Sequence, residues 1–209
     1  MESKKKSIIY IDGFNLYYGA LKGSKNKWLD LSKYFHTLRQ ADDIQVIKYF
    51  TALVDQGAHQ KRQQTYLNAL NTLPDIEIIL GKFKSKQVKC LIPCNAPNKI
   101  FSMPEEKRTD VNIAIHLLND AFLNLCDRFI IVSGDSDLVP ALEMIKRTYL
   151  QKEIIVYIPA SNPFRGAAVE MRSIADKHRT LPLNLLHLCQ FQNTIPFGTG
   201  GQIVKPAEW

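Results

Sequence analysis

Several features that mark common classes of protein are missing from this 209-residue sequence. No segment approaches the roughly 18 consecutive apolar residues that a membrane-spanning helix needs, and the N-terminal apolar run is too short for a signal peptide. Only four cysteines are present, a low number that suits a reducing compartment. These absences predict a soluble cytoplasmic protein with no membrane contact.

Motifs for several kinds of site are also missing. There is no glycine-rich phosphate-binding loop, and the five histidines show no metal-ligand spacing. Cys90 and Cys94 are separated by three residues, with no histidine or further cysteine nearby. Two thiolates do not complete a tetrahedral zinc site. We therefore expect ordinary thiols here and no structural zinc.

What the sequence does contain is an alternation of apolar runs and helix-period stretches. Five short runs rich in Ile and Val have the composition of strands buried on both faces, at 7–11, 44–54, 76–83, 128–133 and 153–158. Helical patterns occur at 28–40, 60–73, 110–125, 138–150 and 166–178. This order predicts an α/β fold, a three-layer sandwich with a central, mostly parallel sheet.

The chain is long enough for one sizeable domain and short for two. We assign residues 1–180 to that domain and expect 181–209 to pack on it as a C-terminal helix and a turn-rich tail. An irregular insertion at about 83–106 interrupts the alternation, and its length suggests a function.

Four aspartates lie where strands end or helices begin. Asp12 ends the first predicted strand, Asp135 and Asp137 follow the fourth, and Asp110 opens the helix that leads into the fourth. If the first and fourth strands are neighbours, these carboxylates meet at the edge of the sheet where parallel α/β folds bind ligands. The alternative for Asp110 and Asp137 is a helix-capping role, because Asp is common there.

Carboxylates gathered in one pocket repel each other unless a cation neutralises them or some take up protons. Oxygen-only ligands favour Mg²⁺ or Mn²⁺ over zinc. Asn15 and Ser133 are predicted polar neighbours of the same pocket. The motifs therefore predict a magnesium or manganese site.

The segment 81–108 carries seven basic residues against two acidic ones, a net charge of +5 within a chain of net charge +7. Extended backbone would place Lys82, Lys84 and Lys86 on one face, and Lys107 and Arg108 precede Asp110 closely enough to bind phosphate. Phe83 and Phe101 are in reach to stack on bases. A single-stranded RNA track is one interpretation, and a solvated lysine-rich loop is the other.

Three segments together resemble a known family: "IYIDGFNLYYG", "KRTDVNIAIHLL" and "IIVSGDSDLVPAL". They are similar to the signature segments of the NYN domain, in the LabA/DUF88 branch of the PIN-like nucleases, and the resemblance covers residues 7–178. It implies a PIN-like fold and a Mg²⁺- or Mn²⁺-dependent endoribonuclease acting on single-stranded or structured RNA. It also implies that the acidic catalytic and metal-binding residues are Asp12, Asp110, Asp135 and Asp137, with Asn15 and Ser133 beside them.

Two other functions stay open at this point. The same fold could serve as a non-catalytic RNA-binding or regulatory module. A small-molecule phosphatase is the other, although it needs an acidic nucleophile pair after the first strand, where Gly13 and Phe14 follow Asp12. The related nuclease domains are often dimers, which makes a homodimer a further expectation.

Overall fold

A computed structural model describes residues 4–54, 57–90, 100–159 and 167–209. These residues form ten strands, in chain order β1 (Lys5–Asp12), β2 (Asp42–Thr51), β3 (Ile76–Leu80), β4 (Lys82–Lys89), β5 (Ile100–Lys107), β6 (Arg128–Val132), β7 (Glu153–Ile158), β8 (Lys177–Thr180), β9 (Thr194–Phe197) and β10 (Gly201–Val204). The α-helices are α1 (Gly13–Leu16), α2 (Leu31–Leu38), α3 (Gly57–Leu70), α4 (Thr109–Phe122), α5 (Val139–Thr148) and α6 (Ala167–Ile174). A π-helical turn, Tyr17–Leu21, extends α1, and 3₁₀ helices occupy Ser136–Leu138 and Leu183–Leu188.

Six strands form one parallel sheet in the order β3-β2-β1-β6-β7-β8. The five predicted strands are all present. The first and fourth of them, β1 and β6, are neighbours, which meets the condition under which the aspartates would come together. Ile9 pairs with Ile47 of β2 on one side and with Ile130 of β6 on the other. The chain therefore builds the sheet outward in both directions from β1, which makes the β1–β6 boundary its topological switch point.

Both faces of the sheet are covered, which confirms the predicted three-layer α/β fold. Side chains alternate along a strand, so Ile9 and Ile11 enter one core cluster while Ile8 and Tyr10 enter the other. Helices α2 and α3 pack in the first cluster, and α4, α5 and α6 pack in the second. Burial on both sides explains why these strands are continuous apolar runs.

The insertion at 83–106 corrects one expectation, because its described residues are not irregular. They form the antiparallel β4–β5 hairpin, in which Lys82 pairs with Lys107 and Lys89 with Ile100. The predicted third strand also ends early, at Leu80, because Gly81 separates it from the hairpin. A Cβ on Gly81 would lie 2.6 Å from the Thr109 hydroxyl oxygen, so only glycine fits this junction.

The fifth predicted helix is also shorter than expected. Helix α6 ends at Ile174, and residues that the periodicity assigned to it form β8 instead. All four β8 residues are exposed, so no apolar pattern marks them as a strand. They become one because the free edge of β7 offers backbone hydrogen bonds, as in the pairing of Tyr157 with Arg179.

After the sheet, the chain returns over the α2–α3 side. The turn at Gly198 and Gly200, both in the left-handed region (φ 58° and 86°), joins β9 to β10. Trp209 then packs near Trp28 and Tyr66, with ring centroids 6.1 and 5.8 Å apart. Within the described ranges, no helix has the length and apolar character to span a membrane.

At the amino ends of the strands, opposite the carboxyl edge, charged side chains form a network. Arg128 donates to Asp42 and to Glu153, the latter at 2.7 Å, and Lys177 lies 2.8 Å from Glu153. Burial by itself raises the pKa of Glu153. Hydrogen bonds from Lys177, Arg128 and Lys5 outweigh that effect and lower the pKa to about 2.

This network predicts a pH-dependent contribution to stability. Because the pKa is lowered in the folded state, the contribution is present above about pH 4.5 and lost as the pH falls toward 2. Glu153→Gln should lower the free energy of unfolding by about 2 kcal/mol at pH 7, less than the full shift implies because Lys5 and Lys177 are exposed. Urea denaturation at pH 7 and pH 3.5 measures this, with exposed Glu143→Gln as control; an equal loss at both pH values would contradict it.

Candidate metal centre

The site lies at the carboxyl edge of β1 and β6, as the strand order requires. Asp12 is the last residue of β1, and Ser133, Gly134 and Asp135 follow β6 directly. Asp12 caps α1 by accepting the Asn15 backbone N–H at 2.9 Å, and Asp135 accepts that of Asp137 at 3.0 Å. Asp12 and Asp135 thus combine a capping hydrogen bond with a place at this edge. The N-cap positions of α4 and of the 3₁₀ turn belong to Arg108 and Asp135, so Asp110 and Asp137 are not the caps considered from the sequence.

Asp12 is buried, and neutral polar side chains donate hydrogen bonds to it. The Asn15 side-chain amide donates to Asp12 Oδ2 at 2.6 Å, and the Ser133 hydroxyl donates to the same oxygen at 3.1 Å. Asn15 Oδ1 in turn accepts the Gly134 N–H at 3.2 Å, and Ser133 Oγ accepts the Asp135 N–H at 3.1 Å. These bonds tie the end of β1 to the turn after β6 and fix the Asp12 carboxylate in place.

Asp110 completes a group of three carboxylates. Asp12, Asp110 and Asp135 each offer an oxygen, and these atoms lie within 4.8 Å of one another. Asp110 lies in the first turn of α4, so α4 begins at the same edge of the sheet. The structure therefore brings together three of the four predicted aspartates.

Asp137 is placed differently from the other three. It is exposed, lies in the 3₁₀ turn after Asp135, and is not part of the three-carboxylate group. Its charge still reaches the site, since it is one of the groups that raise the pKa of Asp110. Asp137 is thus a negative charge at the rim of the cluster.

The pKa values of Asp12 and Asp110 are raised, as is typical of crowded carboxylates without a neighbouring positive charge. Burial raises the pKa of Asp12, and the hydrogen bonds from Asn15 and Ser133 only partly offset it. Burial and then the charges of Asp135 and Asp12 raise the pKa of Asp110 to about 6. A divalent cation would relieve this repulsion, and the all-oxygen donor set fits Mg²⁺ or Mn²⁺.

The chain enters α4 through an unusual turn. Arg108 is exposed and has a left-handed backbone (φ 81°), and no side chain caps the helix from that position. Instead Glu106 Oε1 accepts the Thr109 hydroxyl at 2.5 Å and the Thr109 N–H at 3.2 Å. Glu106, which the sequence patterns did not single out, therefore links the hairpin to the start of α4.

The predicted basic residues lie on the hairpin and its junction. Lys82, Lys84 and Lys86 are exposed on β4, and their register partners on β5 include Lys107 and Glu105. Paired residues share a face of a two-stranded ribbon, so these five side chains form one surface, here called the lysine face. Glu105 Oε1 lies 3.0 Å from Lys107 Nζ and 3.5 Å from Lys86 Nζ, which neutralises part of that charge.

The two phenylalanines of this region differ. Phe101 is 48 % exposed and belongs to the lysine face, opposite Val88. Phe83 lies on the other face and makes an edge-to-face contact with Phe14 at 5.8 Å. Phe83 thus anchors the hairpin to α1, which leaves Phe101 as the ring available for stacking.

Cys90 follows β4, while Cys94 and Lys99 lie outside the described residues.

A cavity of about 470 Å³ adjoins the short helix α1 that follows Asp12, and it was not foreseen from the sequence. It is lined by α1 and its π-helical turn, by β2, by α3 and by the end of the chain. Its aromatic lining residues are Phe14, Tyr17, Tyr18, Tyr49, Tyr66 and Trp209. They come from distant parts of the sequence, so no local pattern predicts the cavity.

The profile of the NYN domain matches residues 6–182. The chain belongs to the NYN domain family. This match confirms the predicted family and the PIN-like fold, and it places the protein among nuclease-like proteins; the narrower LabA/DUF88 branch stays a prediction.

Two comparisons with individual proteins extend this result. The chain is 32 % identical over 237 aligned residues to 6-hydroxy-3-succinoylpyridine 3-monooxygenase HspA from Pseudomonas putida, covering 98 % of this chain and 75 % of that protein. It also resembles a crystal structure of a protein of unknown function from Vibrio parahaemolyticus, with a TM-score of 0.56 and 21 % identity, covering 87 % of this chain and 95 % of the other. The second likeness concerns the fold alone.

The raised pKa of Asp110 leads to a prediction about the metal-free protein. A folded-state pKa of about 6 against 3.8 costs stability progressively as the pH rises from about 4 through 6. Asp110→Asn should therefore raise the free energy of unfolding at pH 7.5, by about 1 kcal/mol after allowance for solvent screening, and have little effect at pH 4. Urea denaturation in EDTA tests this, with Asp43→Asn, an exposed position at the amino end of β2, as control. A loss of stability at pH 7.5 would show that the carboxylates do not repel one another.

Proposed function

We propose that this protein is a divalent-metal-dependent ribonuclease that cuts RNA internally at phosphodiester bonds. The observation that carries the proposal is the group of three carboxylate oxygens within 4.8 Å at the switch point of an NYN domain. Carboxylates crowd in this way at sites that hold hard cations. The nuclease-like family supplies the class of reaction.

The residues that would hold the cation are Asp12, Asp110 and Asp135, with Asp137 adding negative charge at the rim. When bound, Mg²⁺ or Mn²⁺ supplies an activated water and stabilises charge on phosphate oxygens. Asn15 and Ser133 orient the Asp12 carboxylate and partly offset the effect of its burial, because each donates a hydrogen bond to it. The turn after β6 is held by the same bonds, so Asp135 keeps its position relative to Asp12.

The lysine face would bind the RNA backbone. It begins at Lys82 and Lys107, and Lys107 lies only three residues before Asp110. Lys84 is exposed, and its cross-strand partner Glu105 bonds to Lys107 and Lys86 instead. Phe101 on the same face offers a ring for a base. A backbone bound along this face would come nearest to Asp110 at the end where Lys107 lies.

Cleavage is tested with the wild type and Asp135→Asn on single-stranded, structured and transfer RNAs, in Mn²⁺, Mg²⁺ or EDTA. We expect internal cleavage that requires metal and falls at least 100-fold in the variant, since one of three ligands is lost. p-Nitrophenyl phosphate should not be hydrolysed. RNA that is bound but left intact would favour a binding module, and hydrolysis of the small ester alone would favour a phosphatase.

RNA affinity gives a second test of the proposal. Lys84→Ala should weaken binding to single-stranded RNA several-fold and reduce the slope of log affinity against log salt by about 0.7, because one phosphate contact is lost. Exposed Arg147→Ala on α5 removes the same charge away from the hairpin and should leave the slope unchanged. Equal slopes for all three proteins, measured by filter binding in EDTA, would exclude the lysine face from RNA binding.

A second candidate function is monooxygenation of an anionic aromatic compound. It is favoured by the 32 % identity to 6-hydroxy-3-succinoylpyridine 3-monooxygenase over 98 % of this chain. A monooxygenase puts one oxygen atom of O₂ into its substrate and reduces the other to water with two electrons from a donor such as a reduced nicotinamide. Substrate-dependent O₂ uptake with 6-hydroxy-3-succinoylpyridine and NADH, unaffected by EDTA, would support it. Metal-dependent RNA cleavage without such uptake would exclude it.

A further inference from the structure

We propose that the cavity beside Asp12 is a binding site for a planar aromatic ring that carries an anionic group. Its volume of about 470 Å³ lies in the range of small-ligand pockets. None of its described lining residues belongs to the three-carboxylate group, although Gly13 and Phe14 directly follow Asp12 in the chain. Binding here therefore does not depend on the metal chemistry proposed above.

The walls suit a flat ring because they are largely aromatic. Trp209 packs against Trp28 and Tyr66, and Tyr17 packs edge-on against Tyr18 at 5.2 Å. These contacts hold the side chains in place without a ligand, which limits the ordering that binding requires. Tyr18 is 62 % exposed, an open face on which a ring can stack.

The floor of the cavity depends on a glycine. A Cβ on Gly13 would lie 2.8 Å from the Tyr49 ring and 2.7 Å from the Phe50 carbonyl oxygen. Only glycine therefore lets Tyr49 lie directly under α1. Gln63 closes the adjoining end by donating to the Ala52 carbonyl at 2.9 Å and accepting the Val54 N–H at 2.9 Å. The close packing at Gly13 and the hydrogen bonds of Gln63 therefore shape the cavity before any ligand binds.

The charges around the cavity favour an anion. Among the described lining residues, Lys22, Lys27 and Arg62 are basic and Glu208 is acidic. Lys22 Nζ lies 4.7 Å from the centroid of the Tyr18 ring, so a cation is held beside the ring on which a ligand would stack. Arg62 is 3.4 Å from Glu208, whose side chain is 65 % exposed against 19 % for Arg62. Such a weak surface pair is readily replaced by a ligand anion that reaches the guanidinium.

Two sources supply this chemistry, a nucleotide of a nucleic-acid strand and a free aromatic acid. Probes for both are titrated into ¹⁵N-labelled protein in EDTA: 5′-AMP with neutral adenosine, and 6-hydroxynicotinate with its neutral amide. The chain has two tryptophans, so the Trp209 indole N–H signal is identified with Trp209→Phe. We expect it to shift in a saturable way, with each effective anionic probe binding at least 10-fold tighter than its neutral counterpart.

Arg62→Ala and Lys22→Ala should each weaken binding of the anionic probe several-fold, and exposed Arg179→Ala on β8 should not. Lys22 is exposed, so its variant reports on the site even if Arg62→Ala unfolds. Saturable binding of 5′-AMP alone assigns the cavity to a nucleotide. Saturable binding of 6-hydroxynicotinate alone assigns it to a free aromatic acid. Saturable binding of both supports a site for any planar ring that carries an anionic group. No saturable shift with either probe, equal affinity for charged and neutral forms, or unchanged affinity in the folded variants would overturn the proposal.

Discussion

The parallel pairing of β1 with β6 is the constraint on which the rest of the molecule depends. It places Ile11 opposite Val132, and the next residues along the two strands are Asp12 and Ser133. A buried carboxylate is tolerated there because Asn15 and Ser133 donate to it. The strand register, the hydrogen bonds and the buried charge are therefore all fixed at one edge of the sheet. The hairpin, helix α4 and the cavity are each connected to that edge.

Much of this arrangement is predictable from the sequence, and the exceptions have physical causes. Central strands are recognisable because burial on both faces demands Ile and Val, and their order brings Asp12, Asp110 and Asp135 together. Strand β8 and the β4–β5 hairpin could not be predicted from an apolar pattern, because backbone pairing rather than apolar burial forms them. Asp137 departs from the group because the 3₁₀ turn directs it to solvent, and the cavity is assembled from segments far apart in the chain.

Phe14 stands between the two surfaces that flank the carboxylates. Its ring contacts Phe83 of the hairpin on one side and lines the cavity on the other. A ligand in the cavity and a strand on the hairpin would therefore both act on the short helix that Asp12 caps. The two proposed binding surfaces would then share one carboxylate edge, which is compatible with a similarity to both nuclease-like proteins and a monooxygenase.

Thr109 donates two hydrogen bonds to Glu106, and these tie the base of the β4–β5 hairpin, here called the arm, to the start of helix α4. Strand β5 has eight residues, so at about 3.4 Å each the arm extends roughly 27 Å from its junction with α4. A polymer gripped along such an arm is held at a fixed spacing from Asp110. The length of β5 would then set how many units of the polymer are bound. Lengthening or shortening the hairpin would change that number without disturbing the carboxylates at its base.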